Sequence, residues 1–172
     1  MDHWTHADLV ALAAKWLASQ GHSVVATEIV NGDRETPDAI GFVGRFTTLI
    51  ECKVSLSDLS ADRRKSFRRI QGSGMGDQRY YLAPPGLLCN SKFPDGWGLL
   101  EPSGRGLAVV RAALHQPEKN HRGEMGILVS LLRRVGYNAP EGVKIKVYRN
   151  QFPVKQTTLT VTEAPSPQVG SC

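Results

Sequence analysis

The chain has 172 residues, of which 41% are hydrophobic and 22% charged, and its formal net charge is +5 with a pI near 9.3. No apolar run approaches the roughly 20 residues of a membrane span, and no secretory apolar segment opens the chain. Three cysteines without Cys-x-x-Cys spacing argue against a disulfide framework or a zinc site and favour a reducing compartment. We therefore expect one cytoplasmic domain whose positive charge suits a polyanionic partner.

Residues 5–20 are predicted to form an amphipathic helix that Thr5 caps and Gly21 ends. Apolar residues recur every three or four positions and predict one core-facing stripe: Leu9, Leu12, Ala13, Trp16 and Leu17. His3 and His6 could share a metal ion, but histidines so near a terminus are usually solvated.

Residues 22–30 are rich in β-branched side chains and predict a strand. Glu28 interrupts this run, and a buried acid needs a partner. It either joins an acidic site formed by the next two strands or pairs with Arg34; the sequence favours neither.

A β-hairpin is predicted for residues 37–54, with strands at 37–43 and 46–54 joined by the turn Gly44-Arg45. Side chains alternate along a strand, so Glu51 and Lys53 share one face while Cys52 points to the other. Pairing across the turn brings Asp38 beside Glu51 and Lys53. The hairpin thus gathers two carboxylates and an ammonium.

Two adjacent carboxylates repel each other unless a cation lies between them. A hard divalent ion with open water positions, Mg²⁺ or Mn²⁺, suits such ligands and can polarise a phosphoryl oxygen. Lys53 could orient or deprotonate the attacking water, or stabilise charge on phosphate. Cys52 would offer only its backbone carbonyl, because its side chain faces away. Phosphodiester hydrolysis uses every one of these groups.

The sequence Pro37-Asp38, then Glu51-Cys52-Lys53, resembles the signature of the PD-(D/E)XK, or restriction-endonuclease-like, nucleases. The stretch 50–69 is similar to small phage and bacterial members, including MmcB-type DNA repair proteins. The resemblance implies that Asp38 and Glu51 bind metal and that Lys53 assists the attacking water. It also suggests a metal-binding role for Asp8, but the favourable interaction of a first-turn acid with the helix dipole is the preferred explanation.

A second helix is predicted from about Ser55 or Ser57, either of which can cap it, to Ile70, with Leu59, Phe67 and Ile70 on its buried side. It carries five cations that we expect to contact DNA phosphates: Arg63, Arg64, Lys65, Arg68 and Arg69. Lys65 is the first candidate, because it resembles the family's lysine in an Asp-x-x-Lys step. If all five met phosphates, the log–log salt slope of binding would be about −4 to −5.

Further strands are predicted at 79–83, 96–101, 107–111 and 144–148, and a helix at 121–135 that Asn120 caps. That helix should pack on the sheet through its apolar positions, Met125, Leu128, Val129, Leu132 and Val135. Tyr80 or Tyr81 could stack on a base, although strand aromatics usually pack in the core. We expect a nuclease-like domain at 1–150 and a loosely ordered tail at 151–172.

The element order predicts an α/β fold, a mixed sheet flanked by helices as in the restriction-endonuclease-like core. The leading hypothesis is a Mg²⁺-dependent deoxyribonuclease, with Mn²⁺ as a substitute, acting in DNA repair, recombination or phage DNA processing. The alternative is a non-catalytic DNA-binding module that retains the nuclease fold. We expect no membrane partner, and the sequence leaves open whether the protein forms a homodimer.

Overall fold

The computed structural model describes residues 4–30, 32–104 and 106–135. The elements in chain order are α1 His6–Ser19, β1 Val24–Thr27, β2 Ala39–Val43, β3 Phe46–Cys52, α2 Leu56–Arg63, α3 Ser66–Arg69, β4 Gln78–Leu82, β5 Gly98–Ser103, β6 Gly106–Arg111 and α4 His121–Val135. The chain divides into two compact units, Met1–Leu131 and Leu132–Cys172; of the second, only Leu132–Val135 is described. The strand predicted at 144–148 and the tail from 151 lie outside the described residues.

The six strands form one mixed sheet in the order β1-β2-β3-β4-β5-β6. Strands β1 to β3 pair antiparallel, β3, β4 and β5 run parallel, and β6 pairs antiparallel with β5. Parallel neighbours need a long crossover, and α2 and α3 lie within the crossover between β3 and β4. The predicted α/β class, a mixed sheet flanked by helices, is confirmed. Within the described residues, no helix is long and apolar enough to cross a membrane.

Helix α1 covers one face of the sheet. Thr5 caps it in a reciprocal capping box with Asp8, and Gly21 follows with φ +87°, a conformation that glycine adopts at no steric cost. Its predicted apolar stripe is confirmed, with Leu9, Ala13 and Leu17 fully buried. Their partners on this face are Ala39, Ile50, Cys52, Tyr80, Leu82 and Leu100.

The opposite face is covered by α2 and α4, which contribute Leu59 and Ile127 to a core with Ile40, Leu49, Tyr81 and Leu99. The prediction that Met125, Val129 and Leu132 face the sheet is wrong, since they are 66%, 42% and 48% exposed. The buried side of α4 instead carries Ile127, with Leu128 and Leu131 partly buried, and Gly123 lies against the side chain of Met75. A Cβ at Gly123 would lie 2.5 Å from the end of the Met75 side chain, which would then have to shift.

The single helix predicted to run to Ile70 is also wrong. Ser55 caps α2 as expected, but α2 ends at Arg63, and Lys65 is extended with φ −62° and ψ 137° before the short α3 begins. Ile70, predicted to be buried, is 62% exposed. After this break, Arg68 points inward and contacts the carboxylates of Glu35 and Asp62. In one continuous helix, Arg68 would lie on the side opposite the buried Leu59.

Candidate active site

The hairpin places the three predicted residues at the same end of β2 and β3. Ala39 pairs with Ile50 in the antiparallel register, so Asp38, one residue earlier, lies across from Glu51. Alternation puts Glu51 and Lys53 on the face of Leu49, the side of α2 and α4, while Cys52 packs against α1. The predicted separation of Cys52 from its two neighbours is therefore confirmed.

Asp38 is half-buried and accepts a hydrogen bond from the backbone N–H of Cys52 at 2.7 Å through Oδ2. Burial and, after it, the negative charge of Glu51 raise the pKa of Asp38 to about 6. The Cys52 N–H and the charge of Lys53 work in the opposite direction and do not cancel these effects. Asp38 and Glu51 therefore form an interacting carboxylate pair whose ionisation a further cation would favour.

Lys53 is buried on the same face, with its side chain 7% exposed, and Nζ donates to Glu51 Oε2 at 3.0 Å. Burial lowers its pKa, but Glu51, Asp62 and Asp38 outweigh burial and raise the pKa of Lys53 above its ordinary value. Lys53 is therefore an ammonium ion at neutral pH. Of the roles that the sequence left open, this state suits orientation of water and stabilisation of negative charge, and it is unsuited to proton abstraction.

Sequence reasoning missed the buried ion cluster behind Glu51. The guanidinium of Arg68 is 1% exposed and meets three carboxylates: it donates to Glu35 through Nη1 and to Asp62 through Nε at 2.9 Å, and its Nη2 lies 2.7 Å from Glu51 Oε1. The rings of Phe67 and Trp97 lie 4.8 and 4.7 Å from its Cζ. The prediction that Arg68 contacts DNA phosphate is therefore wrong, because its charge is committed inside the protein.

Asp62 is the centre of this cluster on the helix side. Tyr81 donates its hydroxyl to Asp62 Oδ2 at 2.9 Å, and Lys65 Nζ lies 3.0 Å from Oδ1. Burial raises the pKa of Asp62, but Arg68 and Lys53 outweigh it and hold that pKa at about 2. Lys65, the first candidate for phosphate contact, is 45% exposed and already has this carboxylate partner. Tyr81 is fully buried and Tyr80 nearly so, which leaves them as core aromatics.

The remaining predicted cations, Arg63, Arg64 and Arg69, are exposed on α2, its C-cap and α3. They flank the segment that carries Asp62 and Arg68, so they lie on the surface next to the carboxylate cluster. Of the five predicted cations, these three and the exposed part of Lys65 remain available to a polyanion, and we call them the basic surface.

His6 and Glu28, two further residues considered as metal ligands, lie near Asp38 on its exposed side. His6 Nε2 is 3.6 Å from Asp38 Oδ1 and 3.6 Å from Glu28 Oε1. Glu28 is exposed, with φ +50°, and within the described residues its ion pair is with His6 and not with Arg34. It is therefore not the buried acid that the sequence suggested, although His6 links it to Asp38. His3 lies outside the described residues.

Asp8 is used by the helix that carries it. Its Oδ2 accepts the backbone N–H of Thr5 at 3.0 Å and the Thr5 hydroxyl at 2.5 Å. This capping box accounts for an acid in the first turn without a metal ion. The structure therefore shows Asp8 in its helix-capping role.

Within the described ranges, no group of three or more His, Cys, Asp or Glu residues could hold a metal ion. The candidate ligand set is therefore the Asp38–Glu51 pair, with the Cys52 carbonyl as the further oxygen that the resemblance suggests. Glu51 Oε1 is buried and makes no hydrogen bond, because its close contact with Arg68 Nη2 lacks hydrogen-bond geometry. Arg68 Nη2 nevertheless faces this oxygen, and Lys53 Nζ faces the other oxygen of Glu51.

Comparison with known proteins identifies the fold alone. The chain is similar to the structure of SPO1766, a protein of unknown function from Silicibacter pomeroyi, with a TM-score of 0.61 and 23% sequence identity. The similarity covers 84% of this chain and 99% of that one. No protein family and no curated protein matches the sequence.

Proposed function

We propose that the protein is a Mg²⁺-dependent deoxyribonuclease of the PD-(D/E)XK type, with a restriction-endonuclease-like core. The observation that carries the proposal is the meeting of Asp38, Glu51 and Lys53 at one end of the hairpin. Asp38 lies across from Glu51, and Lys53 Nζ lies 3.0 Å from Glu51 Oε2. Two carboxylates with an ammonium are the groups needed to hold a divalent cation beside a phosphate and to orient a water molecule.

The carboxylate pair fits a magnesium ion. Mg²⁺ keeps several of its waters and is usually held by one or two carboxylates together with substrate phosphates, so a full cage of protein ligands is not required. Burial and, after it, the negative charge of Glu51 raise the pKa of Asp38, and a cation would relieve the repulsion between the two carboxylates. Asp38 and Glu51 would hold the ion, with the Cys52 carbonyl as a further oxygen ligand.

The mechanism assigns each charged group of the site a separate task. A bound Mg²⁺ would act as a Lewis acid on the phosphoryl oxygen and lower the pKa of bound water. The Lys53 ammonium orients the attacking water and stabilises the negative charge that develops on phosphate. Glu51 in turn holds Lys53 in place through its Oε2. The exposed Arg63, Arg64 and Arg69 bind flanking phosphates and bring the DNA backbone to the carboxylates.

The test is incubation of the purified protein with plasmid, linear duplex, branched and single-stranded DNA, in Mg²⁺, Mn²⁺ or EDTA. We expect cleavage that needs metal and that is lost in Asp38→Asn and in Lys53→Ala, with DNA binding largely retained. Lys15→Ala, an exposed lysine on α1, and Asp95→Asn, an exposed aspartate before β5, are the matched controls. Full activity in Lys53→Ala would contradict the mechanism.

One observation favours the alternative, a non-catalytic DNA-binding module with the nuclease fold. Both oxygens of Glu51 already face a cation, Lys53 on one side and Arg68 on the other, so its charge is balanced without a metal ion. Such a module would bind DNA equally well in EDTA and in Mg²⁺ and would cut none of the four substrates. Tight, metal-independent binding with no product would therefore select it.

A further inference from the structure

An open groove lies beside strands β5 and β6, and the proposed mechanism does not use it. Its volume is about 350 Å³, and its lining includes Phe93, Trp97, Arg111 and Leu114. Trp97 is buried and Phe93 half-buried, whereas Leu114 is 67% exposed. A concave surface that keeps aromatic and apolar side chains in contact with solvent is typical of a binding site.

The groove lies next to the candidate active site. Four residues are successive partners in the strand register and share one face of the sheet: Glu51, Tyr81, Leu99 and Arg111. Three strand spacings of about 4.8 Å place Arg111 about 14 Å from Glu51, which is the length of about four stacked nucleotides. The ring of Trp97 also lies 4.7 Å from Arg68 Cζ, and Arg68 contacts Glu51. One DNA strand bound at the carboxylates can therefore reach the groove.

Arg111 gives the groove its recognition chemistry. Its side chain is exposed, and its Cζ lies 4.5 Å from the centre of the Phe93 ring, so the ring supports one face of the guanidinium. Arg68 also contacts aromatic rings, but three carboxylates take up its charge. Among the described residues, no carboxylate pairs with Arg111. The second face of this planar cation therefore remains available to a ligand.

The occupant that fits this arrangement is a base of unpaired DNA. Bases of single strands stack on aromatic rings and on the planes of arginine guanidinium groups, and such stacking needs no particular sequence. The bases of an intact duplex are stacked on one another and paired, so their faces are not available to Arg111. Asp95 also lines the groove and is exposed. Its negative charge opposes a phosphate in the groove but not an uncharged base.

We propose that Arg111, supported by Phe93, is a stacking platform for an unpaired DNA base about four nucleotides from the scissile phosphate. This inference rests on the proposed function and deepens it by naming the substrate class, which is DNA with a single-stranded segment beside the cleavage site. The basic surface contacts phosphates, which single strands and duplexes both carry. The groove adds affinity for unpaired DNA alone, so it sets the preference among DNA substrates.

The experiment measures binding of a fluorescent oligothymidine, and of a duplex of the same length, to the full-length protein by fluorescence anisotropy in EDTA. The chelator prevents cleavage and separates this test from the metal site. Arg111→Ala should weaken single-strand binding about tenfold or more, the loss expected for one stacked base. Duplex binding should fall by about twofold or less, because only one screened surface charge is removed. Arg111→Lys keeps the charge but has no planar group to stack, so it should lose most of the same affinity.

The matched control is Arg45→Ala, which removes an exposed arginine at the hairpin turn, the end of β3 away from Glu51, and should leave binding of both DNAs unchanged. Normal single-strand binding by Arg111→Ala would overturn the inference. Full binding by Arg111→Lys would overturn it as well, because the contact would then be one of charge alone.

The outcomes separate this inference from the proposed function. If the natural protein cleaves DNA in Mg²⁺ while both Arg111 variants bind the single strand normally, only the stacking platform is rejected. If the Arg111 variants lose single-strand binding but the natural protein cuts no DNA, the platform stands and the nuclease proposal fails. If the natural protein binds neither DNA, both proposals fail.

Discussion

Asp38 Oδ2 accepts the backbone N–H of Cys52 at 2.7 Å, so a side chain at the start of β2 is bonded to the backbone between Glu51 and Lys53. This bond joins the two halves of the candidate motif, which are thirteen residues apart from Asp38 to Glu51. It holds Asp38 in a mostly buried position close to Glu51, where burial and then the charge of Glu51 raise the pKa of Asp38.

Asp38→Asn should stabilise the metal-free protein at alkaline pH. The folded-state pKa of about 6 lies above the unfolded value of roughly 3.9, so this carboxyl favours folding below pH 4, and the advantage is lost as the pH rises through 6. Asparagine has no such dependence and can still accept the Cys52 N–H. In EDTA at pH 8 the free energy of unfolding should exceed that of the natural protein by about 2–3 kcal/mol. Urea unfolding at pH 4 and pH 8 measures this, and equal stability at pH 8 would contradict it.

The basic surface should dominate the salt dependence of DNA binding. Replacing Arg63, Arg64 and Arg69 by glutamine should reduce the log–log salt slope by about 2 to 3, since each phosphate contact contributes roughly 0.9. Arg68 is buried among carboxylates and is not part of this count, which lowers the slope expected from the sequence. Fluorescence anisotropy at several salt concentrations measures the slope, with Lys15→Gln on α1 as the control. An unchanged slope would place the DNA elsewhere.

The cysteine next to the Asp38–Glu51 carboxylate pair should be unreactive. Cys52 is 3% exposed, and burial, with the charges of Asp38 and Glu51, raises the pKa of its thiol. Cys89 is exposed. In a Cys172→Ser background at pH 8, one thiol should react quickly with a disulfide reagent and the second only after unfolding. Two rapidly reacting thiols in the folded protein would show that the hairpin is more open than described.

Gly98 should be irreplaceable in the sheet. A Cβ there would lie 2.4 Å from the ring of Tyr80 and 2.6 Å from the Arg111 carbonyl oxygen, both closer than atoms can pack. Gly98→Ala should therefore lower the free energy of unfolding by about 1–3 kcal/mol or more, as overpacking does. Gly106→Ala is the control, because a Cβ at that residue of β6 meets no atom within 4 Å. Similar losses in thermal unfolding for both variants would contradict this explanation.

Local signals were sufficient to predict much of the fold and the hairpin. The turn at Gly44-Arg45 and the alternation around Glu51 require no long-range information, and they place Asp38, Glu51 and Lys53 correctly at one end of two strands. The stripe on α1 is likewise a local period. Its caps, Thr5 and Gly21, are residues whose chemistry identifies them.

The parts that failed depend on partners distant in sequence. From the sequence, Arg68 is predicted to be one more exposed cation of a basic helix. In the structure the helix breaks at Lys65, and Arg68 then bonds to Glu35, which precedes it by 33 residues. The periodicity of hydrophobic residues in a sequence does not indicate that an acid in one loop pairs with an arginine in a distant helix. The buried face of α4 is likewise the one that carries Ile127, whose core partners are distant in sequence and are not revealed by a hydrophobic period.

The most direct measurement is the position of a metal ion in crystals grown or soaked with Mn²⁺, located by its anomalous scattering. We expect one manganese peak beside the carboxylates of Asp38 and Glu51 in the natural protein and none there in Asp38→Asn. A natural protein that cleaves DNA while its manganese lies elsewhere, or that holds none at this pair even with DNA bound, would contradict it.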